Sequence, residues 1–180
     1  MAEFFTVDID GRKEDLPILP LPSGIKIAFF NLHGNADLTE YCGKKIAQRI
    51  KDSGVEVLLT AESKGLQLTH VVARELGHAF YAVARKSQKL YMQDGICVSV
   101  QSITTGGEQK LYLSAHDVNL LKGKKVAIVD DVISTGGSLK GLEMIVDIAG
   151  GQIVEKITVL AEGDAANRPD IKFLGVIPLL

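Results

Sequence analysis

Residues 126–139 read Val-Ala-Ile-Val-Asp-Asp-Val-Ile-Ser-Thr-Gly-Gly-Ser-Leu, an apolar run followed by two acids and a glycine-rich turn. The apolar run is typical of a buried strand, whose carboxyl end lies at the edge of a sheet where α/β folds bind ligands. The residues after it include Ser134, Thr135, Gly136, Gly137 and Ser138. The glycines let the backbone approach a ligand closely, and the hydroxyl groups lie beside the unpaired amides of a helix N-terminus. This pattern predicts a phosphate-binding loop at residues 134–138, called the phosphate loop below.

The two acids, Asp130 and Asp131, need a different partner because they would repel a phosphate. Ribose hydroxyls, a magnesium ion or a developing positive charge would each suit a carboxylate. A purely structural alternative is a strand followed by a helix that Ser134 or Thr135 caps, with the acids near the helix dipole. The sequence contains no P-loop, no dinucleotide-binding fingerprint and no His-Glu-x-x-His zinc motif.

Strand-like and helix-like patterns alternate along most of the chain. Leu38, Cys42, Ile46 and Ile50 recur at helical spacing behind a cap at Asn35 or Asp37. Strands are predicted at residues 25–32, 55–60, 79–84, 124–129, 153–160 and 173–180, with helical patterns near residues 68–76 and 142–149. This alternation predicts an α/β fold with a mostly parallel central sheet flanked by helices.

Two segments depart from that alternation. Residues 6–23 contain three prolines and predict an irregular arm or loop. Residues 96–100 and 110–113 flank Thr104-Thr105-Gly106-Gly107 and predict an antiparallel pair joined by a flexible hairpin loop. We expect a single domain over residues 1–180, divided into an arm or hood at 1–34 and a core at 35–180.

Composition limits the function classes. The formal net charge of −2 argues against a nonspecific nucleic-acid binder that relies on a basic excess. No run of 18 uncharged apolar residues indicates a membrane span, and the N-terminus lacks a secretory pattern. Cys42 and Cys97 have no metal-ligand spacing and are expected to be buried free thiols. We therefore expect a cytoplasmic protein without nucleic-acid or membrane partners.

The stretch from Val126 to Leu139 resembles the signature by which type I phosphoribosyltransferases bind 5-phosphoribosyl-1-pyrophosphate. The resemblance implies that Asp130 and Asp131 contact the ribose hydroxyls and that the phosphate loop binds the 5-phosphate. Two further segments are similar to this family. Ser63, Lys64 and Gly65 lie in a segment that resembles the pyrophosphate loop of adenine phosphoribosyltransferases, with lysine where arginine is usual; Arg85, Lys86 and Lys89 match a basic segment that reaches pyrophosphate.

The resemblance implies transfer of the phosphoribosyl group to a purine base, with adenine as the first choice. Asp130 and Asp131 would favour the positive charge that develops on the ribose, and Mg²⁺ held mainly by the substrate would neutralise the pyrophosphate. A mobile cover over residues 91–109 would exclude water. The family resemblance also implies a homodimer.

The base and the activity have alternatives at this level. Phe29 or Phe30 would stack on the base, or either would belong to the core. Absence of an acid at Ser134 favours adenine or xanthine over 6-oxopurines such as hypoxanthine, whereas Thr104 stands where adenine enzymes carry an acid. A xanthine or pyrimidine enzyme and a non-catalytic sensor of 5-phosphoribosyl-1-pyrophosphate share these motifs.

Overall fold

The computed structural model describes residues 3–21, 24–92, 94–101 and 108–180. Its centre is a five-stranded sheet in the order β10-β9-β8-β4-β5, in which every neighbouring pair is parallel. The strands are β4 (Val57–Ala61), β5 (Ala82–Ala84), β8 (Lys125–Ile133), β9 (Gln152–Glu162) and β10 (Lys172–Ile177). The predicted parallel sheet is confirmed.

Four helices surround this central sheet: α1 (Ala36–Ile50), α2 (Gly65–Glu75), α3 (Ala115–Leu121) and α4 (Gly137–Ala149). A short 3-10 helix, Gly163–Asn167, connects β9 to β10. Asn35 caps α1 as predicted, because its side chain accepts a hydrogen bond from the Leu38 amide at 3.1 Å. The sequence pattern missed α3, which has only seven residues.

Strand β8 supplies both hydrophobic cores. Ala127 and Val129 pack with α1 and α2 on one face, while Val126 and Ile128 pack with α4 on the other. Alternate side chains of a strand point to opposite faces, so a strand covered on both faces is apolar throughout. This explains why the run at residues 126–129 was readable from sequence.

The N-terminal segment corrects one prediction. The irregular arm predicted over residues 6–23 is wrong for residues 6–20, because β1 (Phe4–Ile9) and β2 (Arg12–Pro20) pair as an antiparallel hairpin. Strand β3 (Lys26–Ala28) pairs with β2 and completes a three-stranded small sheet. Pro17 fits at the end of that pairing. Its carbonyl accepts a hydrogen bond from the Phe29 amide, and its lack of an N–H group leaves no pairing bond unmade there. The strand predicted over residues 25–32 is thus much shorter.

The predicted antiparallel pair is confirmed: β6 (Ile96–Gln101) and β7 (Glu108–Leu113) form a separate hairpin. This hairpin packs against α4. The predicted flexible loop, including Thr104, lies outside the described residues, as do residues 93 and 102–107 of the expected cover over residues 91–109. Most of the rest of that segment belongs to this hairpin. None of the helices in the described ranges combines the length and apolar character that a membrane crossing needs.

Chain order reverses between β4 and β8, because β5 lies on one side of β4 and β8, β9 and β10 lie on the other. A parallel sheet opens a crevice at the carboxyl ends of its strands at such a reversal. The fold therefore places the segments after β4 and β8 side by side.

Candidate active site

Two helices begin at this crevice. Strand β4 leads through residues 62–64 into α2, and β8 leads through residues 134–136 into α4. Neither helix has a side-chain cap or an acidic residue in its first turn within the described structure, unlike α1. Their first amides and the positive ends of their dipoles are therefore available to an anion.

The strand that carries the acids is longer than the sequence predicted. We expected β8 to end at the acids, but it continues to Ile133, and both carboxylates therefore extend from a regular strand. Its parallel pairing with β9 persists through Ile133, which explains the extension. A hydrogen-bonded strand holds side chains more rigidly than a loop does.

A cavity of about 210 Å³ lies between the two strand ends. Its polar lining consists of Glu62, Ser63, Lys64, Lys86, Asp130, Asp131 and Ser138. A second cavity of about 130 Å³ lies inside the phosphate loop and shares Asp130 and Ser138 with the first. Because they share lining residues, we treat the two cavities together as the cleft, with the acids in the middle and cationic or amide donors at both ends.

A larger groove of about 650 Å³ lies between α1 and α2 and is lined largely by apolar groups such as Leu32 and Tyr81. It contains neither the acids nor the phosphate loop. The chemistry therefore belongs to the smaller cleft.

Burial and mutual repulsion disfavour the charged form of the acidic pair. Asp131 is buried, and its Oδ2 has no hydrogen-bond partner among the described residues. The Asp131 amide donates to Asp130 Oδ1 at 2.9 Å, and both aspartates line the cavity. Burial, and secondarily the charge of Asp131, raise the pKa of Asp130 to about 8. Asp131 Oδ2 therefore lacks a hydrogen-bond donor among the described residues, which a ligand with hydroxyl groups or positive charge would provide.

Lys64 connects the acids to the small sheet. Its Nζ lies 3.8 Å from Asp131 Oδ2 and donates to the Phe30 carbonyl at 3.4 Å. The same ammonium lies 5.2 Å from the centroid of the Phe29 ring, a cation–π distance. One side chain thus contacts both an acid of the cleft and the segment predicted to hold the base.

Glu62 orients the basic segment after β5. Its carboxylate accepts from the Lys86 amide at 2.8 Å and lies 3.4 Å from Arg85 Nη1. The Glu62 amide donates to the Ala84 carbonyl, which ties the two strand ends together. Sequence reasoning missed Glu62, although it lies within the segment that signalled the loop.

Gly65 is required for close packing beneath the loop after β4. A Cβ atom at this position would lie 2.2 Å from Thr60 Oγ1 and 3.6 Å from Asp130 Oδ1. Such proximity means that α2 starts directly against the strand ends, with its amides near the acidic pair.

A family model described as a phosphoribosyl transferase domain matches residues 31–178. The chain belongs to the phosphoribosyltransferase family. An adenine phosphoribosyltransferase from Petrotoga mobilis is 29% identical over 97% of both chains. A xanthine phosphoribosyltransferase from an Exiguobacterium strain is 32% identical over 70% of this chain and 64% of its own. The solved adenine phosphoribosyltransferase of Thermoanaerobacter pseudethanolicus shares the fold, with a TM-score of 0.72 at 20% identity over 91% of this chain and 94% of that one.

In this phosphoribosyltransferase the cleft gathers most residues singled out from the sequence. Lys86 reaches the cavity, while Arg85 is half-buried beside Glu62 and Lys89 is exposed outside the cavity lining. Phe29 is half-buried against Lys64, whereas Phe30 is 3% exposed and belongs to the core. The core alternative is thus confirmed for Phe30.

His33, which the sequence patterns did not single out, contacts the loop after β4. Its Nε2 lies 3.4 Å from Ser63 Oγ, and its Nδ1 lies 3.2 Å from Gln67 Nε2. No spacing rule links a residue before α1 to a loop thirty positions later. The contact arises because α1 and α2 pack side by side.

Proposed function

We propose that this protein transfers the phosphoribosyl group of 5-phosphoribosyl-1-pyrophosphate to a purine base, with adenine as the preferred base, releasing pyrophosphate and a nucleoside monophosphate. One observation carries the proposal. A pair of aspartates, of which Asp131 is buried with an oxygen that has no hydrogen-bond partner among the described residues, lies between an uncapped glycine-rich helix start and a loop with two lysines beside it. That arrangement suits a sugar with a phosphate at each end.

The charges define the roles of the side chains. Asp130 and Asp131 accept hydrogen bonds from the ribose hydroxyls and stabilise the positive charge that develops on the ring as the bond to pyrophosphate breaks. Lys64, Lys86 and Arg85 hold the leaving pyrophosphate, and the loop of Ser134, Thr135, Gly136, Gly137 and Ser138 holds the 5-phosphate. Ser63 and the amides after Gly65 add donors on the pyrophosphate side.

Magnesium fits the donor set of the cleft. Asp131 Oδ2 is an unpaired carboxylate oxygen, the ligand type that this cation prefers. No group of three or more His, Cys, Asp or Glu side chains in the described ranges forms a metal site, so substrate oxygens would complete the coordination. Bound there, Mg²⁺ would neutralise charge on the leaving pyrophosphate.

The division of labour follows the two sheets. We propose that residues 1–34 act as a hood over the base and residues 35–180 as the core, with Phe29 stacking on the base. The contact between the Phe29 ring and Lys64 supports this, because it places the ring next to the cleft. We further propose a homodimer in which Lys89 reaches pyrophosphate across the interface, since it is exposed in its own chain. Cys42 and Cys97 are both free, which fits the reducing cytoplasm as the proposed location.

The first prediction concerns the acids. Asp130→Asn and Asp131→Asn should each lower kcat at least about a hundredfold, because each removes charge that stabilises the transition state. Pyrophosphate release measures turnover, and circular dichroism checks that the fold is kept. Full activity in both variants would refute the assignment.

The base is tested with adenine, hypoxanthine, guanine, xanthine, uracil and orotate in the same assay. Release with adenine at the highest kcat/KM is the expected result. Xanthine is the second candidate, because a xanthine enzyme matches this chain at an identity similar to that of the adenine enzymes. Release with none of the bases would count against catalysis and favour a sensor.

A further inference from the structure

Arg168 lies against the phosphate loop although it is more than thirty residues away in sequence. Its Nη1 is 2.6 Å from the point that a Cβ atom would occupy at Gly136. Gly136 precedes α4 and has a φ of +81°, a conformation that favours glycine. The guanidinium therefore occupies space that any other residue at position 136 would fill with its side chain.

The guanidinium is fixed in orientation by a carboxylate. Nε and Nη2 donate to the two oxygens of Asp170 at 3.0 and 2.8 Å, a bidentate geometry that only arginine provides. Hydrogen bonds from Arg168 and Lys156 hold the pKa of Asp170 well below its usual range, so its charge persists. Lys156 also donates to Glu143 of α4 at 2.8 Å. The network thus connects Arg168 to the same helix whose first turn it covers.

Asp170 stabilises the charge of Arg168 in the free protein, because its hydrogen bonds raise the pKa of the guanidinium. The N-terminus of α4 carries the positive end of the helix dipole and has no acidic residue in its first turn. A cation beside it adds to that positive potential. Within the described residues, Nη1 has no carboxylate partner, because Asp170 occupies the other side of the fork. A bound anion in the loop would interact favourably with this positive potential.

We propose that Arg168 is a positioning residue for the 5-phosphate: it holds the backbone at Gly136 from outside the loop and adds its charge to the field at the start of α4. The inference rests on the proposed function, because the anion is the 5-phosphate of the sugar substrate. The direct contacts remain those of the loop amides and hydroxyls. Arg168 acts through Gly136, since it does not line the cavity inside the loop.

The test compares two ligands that use opposite ends of the cleft. Calorimetric titration of Arg168→Met with ribose 5-phosphate should show affinity about tenfold weaker than that of the wild type, which is the effect of losing one well-placed charge. Affinity for pyrophosphate should stay within about twofold, because that ligand binds at the loop after β4. The matched control is Arg74→Met. Arg74 lies near the end of α2, away from both loops, and pairs with Glu40 of α1. This variant should leave both affinities unchanged.

Equal affinity for ribose 5-phosphate, or an equal loss for both ligands, would overturn the inference, since a general loss of structure would weaken both. If Arg168→Met does not fold, Arg168→Lys decides, because it keeps the charge but loses the bidentate bond to Asp170. It should weaken ribose 5-phosphate at least about threefold and leave pyrophosphate unchanged. A wild-type protein that binds no ribose 5-phosphate would refute the proposed function itself, which separates the two failures.

Discussion

At the scale of single residues, ionising the Asp130 carboxyl in the folded protein costs free energy. This carboxyl is partly buried beside another carboxylate, and both effects disfavour its charged form. A structural carboxylate would be expected to have a donor that offsets this cost, but the acidic pair has only the Asp131 amide and a distant Lys64. Uncompensated charge at a cleft is a common property of functional sites.

The raised pKa of Asp130 predicts how this residue affects stability at different pH values. Because the pKa of Asp130 is raised from 3.8 to about 8, the folded state holds a proton that the unfolded chain has released over that interval. The contribution of Asp130 to the free energy of unfolding therefore falls as pH rises from about 4 to about 8. Asp130→Asn should raise the thermal unfolding midpoint at about pH 8 and have little effect near pH 4. Differential scanning calorimetry at both pH values measures it.

The exposed Asp52 provides the matched control, since Asp52→Asn removes a carboxylate outside the cleft. Its effect should be small and similar at both pH values. A destabilised Asp130→Asn protein at alkaline pH would contradict the burial argument, whatever its activity.

Residues could be predicted from sequence where local order was enough. Asp130, Asp131 and the phosphate loop are consecutive, so one strand and one helix start place them together. Arg168 could not be found, because the connection between β9 and β10 brings it to Gly136. Phe29 and Phe30 were indistinguishable for the same reason: only the packing of the small sheet decides which ring is buried.

At the scale of elements, the site consists of two strand–loop–helix units of similar design. In each unit a buried strand ends at the cleft, and an uncapped helix starts within a few residues. These units were predictable because their apolar runs and glycines are local signals. The hairpin of β1 and β2 was not predictable, because its prolines indicated a break in the strand. The strand tolerates Pro17, because the pairing with β3 ends there and requires no N–H group from it.

The start of α2 allows a sharp test of close packing. Gly65→Ala would bring a methyl group to within 2.2 Å of Thr60 Oγ1, which forces the strand and the helix apart. We expect a loss of about 1–3 kcal/mol in the free energy of unfolding and weaker binding of pyrophosphate. Denaturant unfolding and calorimetric titration measure the two effects.

Thr60→Ala should rescue this variant. The Thr60 hydroxyl is buried without a partner among the described residues, so its removal costs little and provides the missing space. The double variant should recover most of the stability and the binding. Gly43→Ala is the matched control, because its Cβ would meet Val71 between α1 and α2 and should destabilise the fold without changing pyrophosphate affinity. Lack of rescue would show that the contact with Thr60 is not the constraint.

At the scale of the whole molecule, the small sheet shares a core with the central sheet but is also latched at one end. Val7, Ile9 and Leu16 are buried in the cluster that includes α1 and β9. The turn between β1 and β2 lies on the core at Asp10, whose amide donates to the Leu174 carbonyl and whose carbonyl accepts from Tyr41. The position of the small sheet on the core is therefore fixed at the end opposite Phe29.

Arg49 also holds the turn between β1 and β2 on the core. Its Nη2 donates to Asp10 Oδ1 at 2.8 Å and its Nη1 donates to the Phe173 carbonyl at 2.9 Å. Arg49→Met should cost less than about 1 kcal/mol of stability, because the pair is partly exposed. A hood that tilts on a weakened latch displaces Phe29 but leaves both phosphate-binding loops in place. We therefore expect the KM for adenine to rise up to about fivefold while the KM for 5-phosphoribosyl-1-pyrophosphate stays within about twofold. Steady-state kinetics with each substrate varied in turn, and Arg74→Met as the control, will show this split; equal changes in both KM values would mean that the small sheet does not act as a hood for the base.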